Sequence, residues 1–203
     1  MNAAAGEAGY RVAFALILFS CLGVSATYRL RARRAAGVIP RRDEGTALVM
    51  ARLFLALPLA AGLFTYLIRP DWMAWSSLDL PAWVRATGVV LGAALVPAFV
   101  WMFRSIGSNI SETVLTRRDH RLVTHGPYRW VRHPLYALGF LLLLSLGLIS
   151  GSWFILGFSI IALVAINGVV IPREEANLIG SFGDEYRDYM TRTGRFVPKL
   201  GGG

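Results

Sequence analysis

Apolar positions in this chain come in long unbroken runs, and polar residues gather between them. The first run extends from about Tyr10 to Tyr28, the second from about Thr46 to Ile68, and the third from about Ala82 to Phe103. A fourth, about Leu135 to Ile149, is parted from a fifth, about Trp153 to Ile171, only by Ser150-Gly151-Ser152. Runs of roughly 20 apolar residues are the length of a bilayer-crossing helix. The pattern therefore predicts an all-α integral membrane protein with five transmembrane helices, the last two folded as an antiparallel hairpin. Pro58 and Pro97 fall inside the second and third runs, where kinks are tolerated if neighbours satisfy the freed carbonyls. Beyond the fifth run the period changes. Leu178, Ile179, Phe182, Tyr186 and Tyr189 share one side of a predicted amphipathic helix, with Glu174, Asp184, Arg187 and Asp188 among its polar positions. Such a helix lies on the membrane or folds back over the preceding connection.

Composition agrees with this reading: 55% of the 203 residues are hydrophobic and only 16% charged, well below the quarter typical of soluble domains. The net charge of +9 does not point to nucleic acid, because the arginines cluster at the ends of apolar runs, where they set topology. Arg29, Arg31, Arg33, Arg34, Arg41 and Arg42 follow the first run, and only Arg69 lies in the second connection. Arg104, Arg117, Arg118, Arg121, Arg129 and Arg132 fill the third. The positive-inside rule then places the N-terminus outside and the C-terminus in the cytoplasm. Trp72, Trp75 and Trp83 would form the outer interfacial belt. The first run lacks the basic flank and small-residue site of a cleavable signal. Cys21 is the sole cysteine, so no intramolecular disulfide forms, and its place in an apolar run suits a core residue. The histidines show no ligand spacing with cysteine or carboxylate, so no metal site is expected. The chain divides into an N-terminal membrane part, 1–103, and a chemically richer part, 104–200. Gly201–Gly203 reads as an appended remnant.

The chemistry concentrates in Gly126-Pro-Tyr-Arg-Trp-Val-Arg-His-Pro-Leu-Tyr-Ala-Leu-Gly139. The preceding connection, Arg104 to His133, is about thirty residues long, a length that is usually functional or disordered, and its aromatics and prolines argue for order. Pro134 suits the first turn of the fourth helix. His133 would then sit at its N-cap, beside unpaired N–H groups and the positive end of the helix dipole, a seat for a carboxylate or phosphate. Tyr136 shares a face with His133. The fifth run leaves through Pro172-Arg173-Glu174-Glu175 on the same side, and the short hairpin makes this exit a neighbour of the His133 entrance. Taken singly, Glu174 and Glu175 also suit the start of a helix after a proline. Together the two constellations suggest a pocket for a zwitterionic ligand, and Asn167 adds a polar group at membrane depth.

From about Asn109 to Pro198 the chain resembles the isoprenylcysteine carboxyl methyltransferase and phospholipid methyltransferase family of integral membrane enzymes. The residues that carry the likeness are His120-Arg-Leu-Val-Thr-His-Gly-Pro-Tyr-Arg-Trp-Val-Arg-His-Pro-Leu-Tyr136, then Glu174-Glu175 after the hairpin, then Phe182-Gly-Asp-Glu-Tyr186 and onward to Pro198. The resemblance implies S-adenosylmethionine as cofactor, bound on the cytoplasmic side beneath a lipid-facing tunnel, with S-adenosylhomocysteine as product. His120, Arg121, Leu122 and Val123 would border it largely through backbone. Tyr128, His133, Pro134, Leu135 and Tyr136 would cradle it, and Glu174 or Glu175 would close the site. Thr113 falls where the family places an earlier polar contact. Arg173, Glu174 and Asn167 are the candidate catalytic residues. Two features depart from the family. Leu138 replaces a glycine, with Gly139 one later, and Val169 and Val170 stand where prenylcysteine enzymes carry an arginine thought to meet the substrate carboxylate. The acceptor, a lipophilic molecule, lipid or prenylated substrate, thus stays open among carboxylate, amine and thiol. In-line methyl transfer asks chiefly for alignment and exclusion of water. Two other readings remain: an NADPH-dependent membrane steroid or isoprenoid reductase, whose related region uses similar arginines for phosphates, and a non-enzymatic lipid-binding membrane protein.

Overall fold

Each of the five apolar runs becomes a helix in the computed structural model, which describes residues 3–36, 46–107 and 122–199. In chain order these are α1 (Ala3–Ala36), α2 (Thr46–Ile68), α3 (Ala82–Ile106), α4 (Pro134–Ser150) and α5 (Trp153–Ala165), followed by α6 (Ile171–Phe182) and α7 (Asp184–Arg192). Tight 3-10 turns occupy Pro70–Ser76 and Gly126–Arg129. Gly6–Arg34, Ala82–Ile106 and Trp153–Phe182 are long and apolar enough to cross a membrane, and Leu53–Ile68 and Pro134–Ser150 are shorter apolar helices. Leu16, Phe54, Leu57, Val90, Ile160 and Val164 face outward and exposed. Helices that are apolar on their outer faces as well as inward belong in lipid, and the chain is an integral membrane protein.

Among the described residues, two large clusters fill most of the interior. At one end Phe14, Ile17, Leu18, Leu63, Tyr66, Met73, Leu146, Ile149 and Ile155 pack together from α1, α2, α4 and α5. At the other, Cys21, Ala32, Leu95, Phe99, Met102, Phe103 and Tyr128 join α1 and α3 to the segment ahead of α4. The most extensive helix pair is α3 with α4, and Gly88 and Gly92 make it possible. A Cβ on Gly88 would lie 2.9 Å from Leu148 Cβ, and one on Gly92 would lie 2.5 Å from Ser145 Oγ. Small residues four apart let helix backbones approach in lipid, where packing and interhelical hydrogen bonds replace the hydrophobic drive. Ser145 Oγ, fully buried, donates to the Gly88 carbonyl at 2.9 Å.

A polar knot closes the α4 C-terminal end of the bundle. Arg85 of α3 forms a bidentate pair with Glu7 of α1, at 2.7 and 3.2 Å, and donates to the Ile149 carbonyl at 2.8 Å. Tyr66 of α2 donates to Glu7 at 3.1 Å, so the knot ties α1, α2, α3 and the end of α4. Trp72, Trp75 and Trp83 are all exposed, and Trp153 donates from its indole to the Trp75 carbonyl, which ties the Pro70–Ser76 turn to the start of α5.

Beyond the hairpin the structure differs from the sequence expectation. Pro172 does not open a new helix, because α5 runs on into α6 through a π turn, Ile166–Val170, in which Ile171 N bonds to the Ile166 carbonyl five residues back. Widening the helix accommodates a proline that lacks an N–H and whose ring crowds the preceding turn. Glu174 and Glu175 are therefore mid-helix residues and compensate no helix start. The single amphipathic helix expected through Tyr189 is likewise two helices. Gly183, with φ 58° and ψ −127°, takes a backbone conformation open essentially to glycine and turns α7 away from α6. Gly201–Gly203 lies outside the described residues.

Candidate active site

Pro134 occupies the first turn of α4 with His133 as N-cap, and the His133 side chain makes no capping bond to its own helix. The imidazole is thus free to turn toward α6. It is 4% exposed and lies between two carboxylates: Nε2 is 3.3 Å from Glu175 Oε1 and Nδ1 is 3.8 Å from Glu174 Oε2. Tyr136, stacked on His133 with ring centroids 5.8 Å apart, donates to Glu174 Oε2 at 2.9 Å. The Ser-Gly-Ser turn makes this possible, since a two-helix hairpin returns its exit to the level of its entrance.

Glu175 is the buried centre of the cluster, its side chain 6% exposed. It accepts from Arg132 Nε at 3.0 Å and from Arg195 Nη2 at 2.9 Å, in addition to His133. A carboxylate removed from water is tolerable only when paired and multiply hydrogen-bonded, and Glu175 meets both conditions. Arg132 is as deeply placed, and its Nη1 donates to the carbonyls of Met190 and Thr193. It therefore locks α7 to the entrance of α4. Backbone pairing does the same: Arg132 N bonds to Gly194 O at 2.8 Å, His133 N to Arg195 O at 3.1 Å and Gly194 N to Trp130 O at 3.1 Å. Tyr189 donates to the Tyr128 carbonyl at 2.6 Å. Burial pushes the phenols of Tyr128 and Tyr186 up, helped in each case by a nearby glutamate, and pushes that of Tyr189 up to about 12.

Of the expected site residues, the structure brings together His133, Tyr136, Glu174 and Glu175, with buried Pro134 beneath them. Asn167 joins at the edge, accepting from Arg195 Nη1 at 3.2 Å. Leu135 and Val123 pack against the second core cluster, and Leu122 is half-buried. Tyr128 is a core residue whose hydroxyl points to Met102 Sδ at 3.6 Å, so its phenol is spoken for by packing. Arg173 is exposed and, among the described residues, makes no ion pair with the cluster. His120, Arg121 and Thr113 lie outside the described residues. Arg132 and Arg195 are the participants that sequence reasoning did not assign. Arg132 stood beside His133 in the motif, whereas nothing local foretold Arg195, which arrives through backbone pairing of residues distant in the chain.

The cluster thus offers one carboxylate already neutralised, Glu175, and one part-exposed carboxylate, Glu174, which among the described residues is held by Tyr136 and His133. Beside them are the first backbone donors of α4 and an apolar wall of Tyr136, Ile166 and Val170. That donor set suits a ligand with one anionic and one cationic group and an apolar neighbour.

Residues 86–180 match the isoprenylcysteine carboxyl methyltransferase (ICMT) family. The chain is 31% identical over 147 residues to the protein-S-isoprenylcysteine O-methyltransferase of Mus musculus, an alignment spanning 63% of this chain and 46% of that protein. It is 36% identical over 84 residues to the cobalt-zinc-cadmium resistance protein CzcN of Cupriavidus metallidurans, spanning 41% and 38% of the two. The chain therefore spans less than half the length of these relatives. A solved structure of the eukaryotic intramembrane Ras methyltransferase ICMT superposes with a TM-score of 0.55 at 21% identity, covering 92% of this chain and 67% of that one. That likeness shows a shared fold.

Proposed function

We propose that this chain is a member of the isoprenylcysteine carboxyl methyltransferase family, whose model matches residues 86–180, and a membrane methyltransferase that uses S-adenosylmethionine and acts on a lipophilic acceptor from the cytoplasmic side. One observation carries the reading: His133, at the mouth of α4, is buried between Glu174 and Glu175. The residues fit the cofactor. Its carboxylate suits the α4 N-terminus and His133, and Glu174 with Tyr136 suits its ammonium or ribose. Aromatic neighbours suit a sulfonium. When bound, the cofactor supplies an electrophilic methyl group, and S-adenosylhomocysteine is left after transfer.

The chain's own residues then have three tasks. Glu175, fixed by Arg132, Arg195 and His133, holds α6 against α4 so that the site does not open by side-chain motion. Glu174 and His133 orient the polar end of the donor. Tyr136, Ile166 and Val170 supply an apolar wall that excludes water while methyl and nucleophile are aligned. Asn167 and the exposed Arg173 are proposed to face the acceptor at the level of the π turn. The relatives named as protein-S-isoprenylcysteine O-methyltransferases favour the carboxyl group of a prenylated cysteine as acceptor. A carboxylate is already ionised, and this arrangement then needs no general base.

The test is transfer of labelled methyl from S-adenosylmethionine to N-acetyl-S-farnesylcysteine by the protein in lipid nanodiscs. Base-labile label in the acceptor, lost in His133→Ala, is the expected result. Absence of any ester while a lipophilic amine or thiol is labelled would move the acceptor class, and absence of all transfer would count against the enzyme.

A further inference from the structure

The hydroxyl of Tyr186 has a different standing from the other buried polar groups of the cytoplasm-facing end. Tyr186 lies in α7 with 1% of its surface exposed, and its Oη is buried without a hydrogen-bond partner among the described residues. Arg11 Nε shares that description, but its guanidinium donates through Nη2 to the Leu67 carbonyl, whereas a phenol has no second polar atom. Burying a hydroxyl unbonded costs a free chain stability, and such groups are rare enough to require a reason.

Its surroundings supply the reason. Arg132, a wall of the site, donates to the carbonyls of Met190 and Thr193, and Met190 lies one turn from Tyr186 on the same face of α7; the charges acting on the phenol there are those of Glu175, Arg132 and Glu174. Burial and the field of Glu175 keep the phenol protonated, so it presents one O–H donor and its lone pairs. Tyr189, on the same helix with its ring 5.8 Å away, makes the contrast: its hydroxyl is satisfied by the Tyr128 carbonyl. Two buried tyrosines side by side, one bonded within the chain and one not, divide into a fastener and a contact.

We propose that Tyr186 Oη is a ligand contact, completed by a hydrogen bond to the charged aminoacyl end of the methyl donor where that end lies against His133 and Glu174. The inference rests on the methyltransferase reading. It makes the two phenols respond with opposite sign. Tyr186→Phe removes an atom that burdens the free chain and serves the bound one. Tyr189→Phe removes one that serves the free chain.

The experiment measures melting temperature without ligand, and the Kd for S-adenosylhomocysteine, on the 203-residue chain in detergent. Wild type, Tyr186→Phe and Tyr189→Phe are compared. Tyr186→Phe is expected to melt at or above the wild-type temperature and to bind S-adenosylhomocysteine about tenfold more weakly, the size of a lost charge-assisted bond. Tyr189→Phe is expected to melt lower. If Tyr186→Phe binds as tightly as wild type, or melts lower as Tyr189→Phe does, the proposal is overturned while the methyltransferase reading stands. If wild type itself binds no S-adenosylhomocysteine, both fall together.

Discussion

At the scale of single residues, the two adjacent glutamates have different work, and the difference is measurable. Glu175 is buried among Arg132, His133 and Arg195, so Glu175→Ala leaves Arg132 buried without its counter-charge. A loss of about 3–5 kcal/mol is expected, read as a large fall in melting temperature. Glu174 is 29% exposed on its side chain and bonded chiefly to Tyr136. Glu174→Gln should cost stability by less than about 1 kcal/mol yet abolish saturable binding of S-adenosylhomocysteine, measured by titration. Sequence reading found this pair and His133 because proline at a helix start and a three-residue hairpin turn are local signals with long-range consequences. The family resemblance implied Tyr128 in the cradle, and nothing local in the motif foretold the contact of its hydroxyl with Met102 Sδ on α3.

Among elements, the pairing of α3 with α4 sets where the site stands. Gly88→Val or Gly92→Val should overpack that contact and cost about 1–3 kcal/mol, with a fall in melting temperature and in ligand binding together, since α4 carries His133. Gly183→Ala should strain the α6–α7 corner by about 1–3 kcal/mol and loosen the Arg132 grip on the Met190 and Thr193 carbonyls. The apolar runs made α1 to α5 legible, because helices in lipid are written in length and hydropathy. The continuation through Pro172 was not, because a π turn depends on how neighbouring helices hold the widened backbone. The break at Gly183 was hidden for another reason: the apolar period runs straight across it, and one glycine changes the direction without changing the pattern.

For the whole molecule, sidedness is the claim that joins topology to chemistry. The tryptophan end with the Glu7–Arg85 knot is expected outside, and the end bearing His133 and the residues near 195 is expected in the cytoplasm. With Cys21 buried, a cysteine introduced at exposed Asp79 should react with a membrane-impermeant thiol reagent in intact cells. One at Val197, 72% exposed, should react only after permeabilisation. Both arms reversed would invert the protein in the membrane and move the site to the outer face. The central claim, that this site holds a methyl donor, is tested most directly by calorimetric titration of the detergent-purified protein with S-adenosylhomocysteine, with NADPH in parallel and His133→Ala as the folded control. The account predicts saturable binding of S-adenosylhomocysteine, lost in His133→Ala, and none of NADPH. Binding of NADPH alone, or of neither nucleotide, would contradict it.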